Sequence, residues 1–220
     1  NDLFGEMDEK SDKGYSSMAV ALNADSLATW FLEVIQHFIF QENVLLDIRV
    51  DDQEETHQLL KNGDVVGCIS TKDQHLQGCS AKYIGCMNYH MLASPGFAQK
   101  WFPKGLALAE IYRAPSVIFN HKDTLHHKLL QQAFGKAPDA IPSNYIPSAE
   151  KFLDFIIMGL GYGMVPLLQS EHLLGTGQLV DLAPGHIVPV KLYWHRWNLQ
   201  SRILDNLSQQ IISSAYNLLD

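Results

Sequence analysis

The stretch Met18-Ala19-Val20-Ala21-Leu22-Asn23-Ala24-Asp25-Ser26-Leu27-Ala28-Thr29-Trp30 decides the fold class. Its first five residues form an apolar run of strand length. Asn23 to Ser26 then supply polar residues suited to a helix N-cap. From there Leu27, Trp30, Phe31, Val34, Ile35, Phe38 and Ile39 recur at the spacing of one helical face. Strand, polar turn and amphipathic helix in direct succession open a βα unit. Val44 to Val50 reads as a second strand, Gln53 to Lys61 as a polar helix stopped by Asn62-Gly63, and Val65 to Ser70 as a third strand. This alternation predicts βαβ units and a parallel sheet covered by helices.

Lys82 to Ala93 is a longer extended stretch that ends at Ser94-Pro95-Gly96, and the pattern then restarts. Val117 to Phe119 reads as a strand, Asp123 to Phe134 as a helix, Asn144 to Ile146 as a strand and Ser148 to Met158 as a helix. A Gly-rich turn leads into Gly163-Met164-Val165-Pro166. Val188 to Trp197 is extended. Leu199 to Leu219 closes the chain as a helix with an apolar stripe at Ile203, Leu207, Ile211, Ala215 and Leu218. The expectation is an α/β protein of two lobes, each of about a hundred residues. The boundary is expected near Leu92 to Pro95, with the last helix returning to the first lobe. Asn1 to Ser17, polar and acidic, reads as the end of a linker or a disordered tail.

Of the 220 residues, 46% are hydrophobic and 18% charged, which excludes collagen-like, coiled-coil and disordered compositions. Sixteen Lys plus Arg against 24 Asp plus Glu leave a formal charge of −8. A surface built to neutralise phosphates leans the other way, so this chain is not expected to bind nucleic acid or an anionic membrane by itself. Cys68, Cys79 and Cys86 are odd in number and form no CxxC pair, which fits reduced thiols in a cytoplasmic protein. No basic-then-apolar leader opens the chain. Its longest apolar run, Phe155 to Leu168, holds three glycines and a proline and is too short to span a bilayer.

Little in the chain supports catalysis. Gly159, Gly161 and Gly163 follow a helix and precede a strand, the inverse of a dinucleotide fingerprint, and read as a tight turn. His121, Asp123, His126 and His127 lie near one another, yet read as a hydrated helix face rather than a zinc site. There is no Gly-x-Ser-x-Gly elbow, no cysteine stands in a motif with a base, and Asp51-Asp52 and Glu54-Glu55 read as hydrated surface. No catalytic residue, metal or cofactor is assigned.

Four strand ends remain: Asn23 to Ser26, Ser70-Thr71, Asn120 to Thr124, and Pro147 to Glu150. In open α/β sheets the carboxyl ends of strands border the ligand crevice, and N–H groups at helix starts suit a carboxylate. Each segment also reads as an ordinary helix cap. Two facing lobes would let all four converge on one small polar ligand.

These segments, in this order, resemble the effector-binding domain of LysR-type transcriptional regulators over nearly all of Met18 to Leu219. Asn23-Ala24-Asp25-Ser26-Leu27-Ala28-Thr29-Trp30, Gly63-Asp64-Val65-Val66-Gly67, Met164-Val165-Pro166 and Leu192-Tyr193-Trp194-His195-Arg196 resemble its ArgP (IciA) branch, which responds to lysine and arginine. The resemblance implies two Rossmann-like lobes joined by two crossing strands, as in type II periplasmic binding proteins. It assigns 16–92 plus 196–220 to lobe I and 93–195 to lobe II. It implies no enzyme, but a sensor of L-lysine or L-arginine controlling basic amino-acid export and metabolism. DNA would be met only through an N-terminal winged helix-turn-helix absent from this chain. The full-length protein would be a cytoplasmic homodimer or tetramer. For such a ligand the expected carboxylate donors are Ser26, Ser70, Thr71 and Ser148 with the N–H groups from Ala149 onward. The expected acceptors for ammonium groups are Asp25, Asp123 and Glu150, and Asn120 and His121 would orient either end. A periplasmic amino-acid-binding protein of the same architecture is the alternative, and the free thiols argue against it.

Overall fold

The computed structural model describes residues 14–51, 55–74 and 76–219. Most of the acidic opening stretch thus lies outside the described residues. Ser16 and Ser17, expected to belong to it, instead begin the first strand. The chain divides into two compact units, one of the residues up to Cys86 together with Lys191 onward, the other of Met87–Val190.

The first unit opens with β1 (Ser16–Leu22), α1 (Ala24–Thr29), α2 (Phe31–Glu42), β2 (Val44–Val50), α3 (Glu55–Asn62) and β3 (Gly67–Ser70). β4 (Cys79–Ala93) carries the chain into the second unit. There follow α4 (Pro95–Trp101), α5 (Leu108–Ile111), β5 (Ser116–Ile118), α6 (Leu125–Phe134), β6 (Ser143–Tyr145), α7 (Ala149–Ile157), β7 (Gly163–Pro166), α8 (Leu167–Gly175) and β8 (Val180–Asp181). β9 (Val188–Trp197) returns to the first unit, which α9 (Arg202–Leu218) completes. The α/β expectation, with two strands joining the halves, holds.

In the first unit the strand order is β2-β1-β3-β9-β4, with β1 parallel to both β2 and β3 and β9 antiparallel to β3. A strand flanked by parallel neighbours is covered on both faces, and every residue from Met18 to Leu22 is buried. The last helix is tied to α2 through Glu42, which receives both guanidinium arms of Arg202 at 3.2 and 3.0 Å and the Asn206 amide at 2.7 Å. The helix expected to run unbroken from Leu27 to Ile39 is two helices. It breaks at Trp30, just after Thr29 Oγ1 donates back to Asp25 O at 2.6 Å, a bond that competes with the helix's own ladder.

In the second unit β5 and β6 run parallel, and β7 and β8 pair antiparallel with β4. Its core gathers Leu92, Val117, Phe152, Ile156, Val165 and Leu179. Ser94-Pro95-Gly96 ends a strand as expected but also starts α4, with Ser94 Oγ accepting from Phe97 N at 3.3 Å. The glycines 159–163 form the expected helix-to-strand turn. Gly159 has φ +73°, and a Cβ on Gly163 would lie 2.8 Å from both Phe152 and Val117.

Gly67 allows a very close approach of side chain to backbone in the first unit. A Cβ there would overlap the Trp194 indole and meet His195 O at 3.0 Å. The indole cannot yield freely, because its Nε1 donates to Ser208 Oγ at 3.0 Å and that hydroxyl donates to Leu204 O at 2.7 Å. Gly67→Ala is therefore expected to lower unfolding free energy by about 1–3 kcal/mol, measured by urea denaturation. Gly96→Ala, whose Cβ would meet nothing within 4 Å, is the control and should stay near the parent.

Candidate functional site

Parallel pairing determines which strand ends become neighbours. β1 and β3 align with Val20 opposite Gly67 and Ala21 opposite Cys68, so Asn23–Ser26 and Ser70-Thr71 leave adjacent strands at the same end. Ser26 is fully buried and its hydroxyl has no partner. Asn23, 5% exposed and extended at φ −77° and ψ 157°, caps no helix N–H with its side chain, and neither amide atom is partnered. Trp30 Nε1 is likewise buried without an acceptor. A buried polar group left unpaired costs about 1–3 kcal/mol, so three within Asn23–Trp30 set this segment apart. Asp25 and Thr71 are half-buried, and Ser70 is buried with its Oγ accepting from Lys72 N at 3.3 Å.

Asn23 and Trp30 were not among the expected ligand-binding side chains. Asn23 gave a signal, standing directly at a strand's carboxyl end. Trp30 gave none, because its place in an apolar stripe is that of a core residue.

The second unit repeats the arrangement. β5 and β6 align with Ile118 opposite Tyr145, which brings Asn120–Asp123 beside the segment leading to Ser148–Glu150. The rings of His121 and Tyr145 lie 3.9 Å apart. Asp123 is largely occupied locally. Its two oxygens accept from Leu125 N at 2.8 Å and Phe119 N at 3.4 Å, shaping the turn into α6. Asn120 Oδ1 accepts from Lys122 N at 2.8 Å, and Ser148 Oγ accepts from Lys151 N at 3.4 Å as the cap of α7. Ala149 is buried and Glu150 exposed in the first turn of that helix.

One histidine departs from its expected setting. His127 is exposed, but His126, expected on a hydrated face, is 4% exposed and neither ring nitrogen has a partner. It lies edge-on to Tyr162, with ring centroids 5.7 Å apart, and the Tyr162 hydroxyl is also buried and unpartnered. Burial holds His126 below the usual histidine range, against the pull of Asp123 and the Tyr162 main chain, and burial raises the Tyr162 phenol. Among the described residues no three His, Cys, Asp or Glu side chains are grouped to hold a metal. Burial pushes the Cys68 thiol up to about 12, so it is protonated at neutral pH. No helix among the described residues is long and apolar enough to cross a membrane. The strand ends thus offer neutral donors and acceptors next to carboxylates, which suits a small polar molecule.

Residues 19–215 match the family model of the LysR substrate binding domain. The chain is 36% identical over 202 residues to the HTH-type transcriptional regulator ArgP of Pectobacterium atrosepticum, covering 92% of this chain and 68% of that protein. The crystal structure of ArgP from Mycobacterium tuberculosis superposes with a TM-score of 0.88 at 32% identity, over 96% of this chain and 71% of that one. Full-length LysG from Corynebacterium glutamicum, with its effector Arg bound, gives 0.82 at 29% identity, over 91% and 68%.

His126 makes stability depend on pH. Its folded-state pKa is depressed below 6.5, so the stability linked to its neutral form is complete above that value and is lost as pH falls through the window beneath it. The thermal midpoint is expected to drop as pH falls below about 6.5. His126→Phe, which removes one titrating ring, should make that slope shallower in the same calorimetric series, the remainder coming from His57, also held below its usual range.

Proposed function

The chain belongs to the LysR substrate binding domain family, and we propose that it is the sensing portion of a transcriptional regulator whose effector is L-lysine or L-arginine. The observation that carries this reading is the unpartnered, buried pair of Asn23 and Ser26 at the carboxyl end of β1, next to Ser70. The Arg bound to LysG supplies the ligand class.

An α-amino acid presents a carboxylate that needs donors and an ammonium that needs acceptors. In the first unit Ser26 and the Asn23 amide donate to the carboxylate, with Ser70 and Thr71 alongside, and Asp25 accepts from an ammonium. In the second unit Ser148 with the Ala149 N–H offers the same donor chemistry, and Glu150 and Asp123 the acceptors. Asn120 and His121 orient them. DNA contact falls to the helix-turn-helix region that gives the matched regulators their name, in a protein acting as a dimer or tetramer in the cytoplasm. The genes it governs serve basic amino-acid export and metabolism.

Calorimetric titration of the chain with L-lysine and with L-arginine tests the reading. A saturable heat and a raised thermal midpoint are expected from at least one of them, with ligand excess stabilising the folded form by mass action. Folded protein that responds to neither at about 1 mM would exclude the assignment. Ser26→Ala should weaken binding by about tenfold, and Asp25→Asn, which removes a charge-assisted bond, by roughly ten- to a hundredfold.

A further inference from the structure

The turn that ends β3 is held by a residue from a different strand. His195, in β9, is fully buried and stands in register opposite Cys68. Its Nε2 lies 2.7 Å from the main-chain oxygen of Lys72. A carbonyl only accepts, so this nitrogen carries the hydrogen and the ring donates. Lys72 also gives its N–H to Ser70 Oγ, so both main-chain polar groups of Lys72 are engaged. Just before the turn, Thr56 Oγ1 on α3 donates to Ile69 O at 3.0 Å. The neighbouring His57 meets the His195 ring edge-on, with centroids 5.0 Å apart. Burial, then His195, Lys72 and Lys61, hold His57 below its usual range, so it stands neutral beside His195 at neutral pH.

We infer that His195 is a positioning residue: its Nε2–H fixes the turn from Ser70 to Lys72, and so the place at which Ser70 and Thr71 meet the effector. This rests on the effector reading given above. His195 reaches the ligand segment through Lys72, and a binding side chain must be held to about half an ångström to bind well. A histidine that merely filled core space would be replaceable by any side chain of similar volume. One that acts through its donor is replaceable only by another donor of the same reach. Glutamine has that reach and asparagine does not.

The test compares the parent chain with His195→Gln, His195→Asn and His195→Leu, by calorimetry with L-arginine and L-lysine and by NMR exchange of the Lys72 amide. The parent ring should show the Nε2–H tautomer in its nitrogen spectrum. His195→Gln should keep affinity within about threefold and keep the Lys72 amide protected, whereas the asparagine and leucine variants should bind about tenfold more weakly and exchange faster. Should the leucine variant fail to fold, the asparagine variant decides. Equal affinity and equal exchange across the folded variants, or an Nδ1–H tautomer in the parent, would overturn the inference. If the parent binds neither amino acid, the effector reading is what fails. The role of His195 is then judged on Lys72 exchange alone, where faster exchange in the asparagine variant upholds it and unchanged exchange overturns it.

Discussion

Parallel strand pairing is the constraint on which the candidate site depends. A parallel neighbour cannot be reached by a hairpin, so the chain must cross over, and each strand then leaves its carboxyl end on the same side as its neighbour's. β1 with β3, and β5 with β6, obey this rule inside their own units. Distant stretches of sequence, Asn23–Ser26 and Ser70-Thr71 in one unit and Asn120–Asp123 and Ser148–Glu150 in the other, become neighbours for that reason alone. Had β3 run antiparallel to β1, Ser70 would stand at the opposite end of the sheet from Ser26.

What separates the Asn23–Ser26 segment from its surroundings is the fate of its polar groups. Other buried serine and threonine hydroxyls among the described residues are paired: Ser116 with Pro142 O and Ser143 Oγ, Ser170 with Pro166 O, Thr56 with Ile69 O, Ser208 with Leu204 O. Pairing is the rule for buried polar atoms because leaving them unmatched is costly. Ser26 and Asn23 depart from the rule at a strand end, where a ligand can supply the missing partners. His126 and Tyr162 depart from it next to an aromatic group of Phe97 and Phe102. Their unmatched atoms bear on stability and its response to acid.

The order of strands and helices was legible because it rests on local patterns, apolar runs alternating with amphipathic stretches. The break at Trp30 was not, since its residues keep a helical spacing on both sides of it. α4 and α8 were missed because Pro95 and Pro166 read as stops. Pro95 sits in the first turn of α4, where a missing N–H costs nothing, and Pro166 is the extended residue just before α8. Among the candidate site residues, Ser26 and Ser148 stand at strand-to-helix transitions as expected, whereas Ser70 ends a strand that is followed by a turn and β4, so the helix start expected after Ser70-Thr71 is not there. Whether a buried polar side chain finds a partner is a three-dimensional fact, so the lone state of the Asn23 amide was hidden. For the same reason His126 read as surface, because helical periodicity does not say which face Tyr162 covers.

The return of the chain through β9 into α9 has a consequence for biogenesis. The first unit draws its last strand and helix from Lys191 onward, after all of Met87–Val190 has been made. On the ribosome the later-encoded unit is therefore complete first, while the earlier-made part of the first unit waits with the α2 face that receives α9 uncovered. Vectorial synthesis thus inverts the order of assembly, and the first unit closes when Arg202 and Asn206 dock onto Glu42.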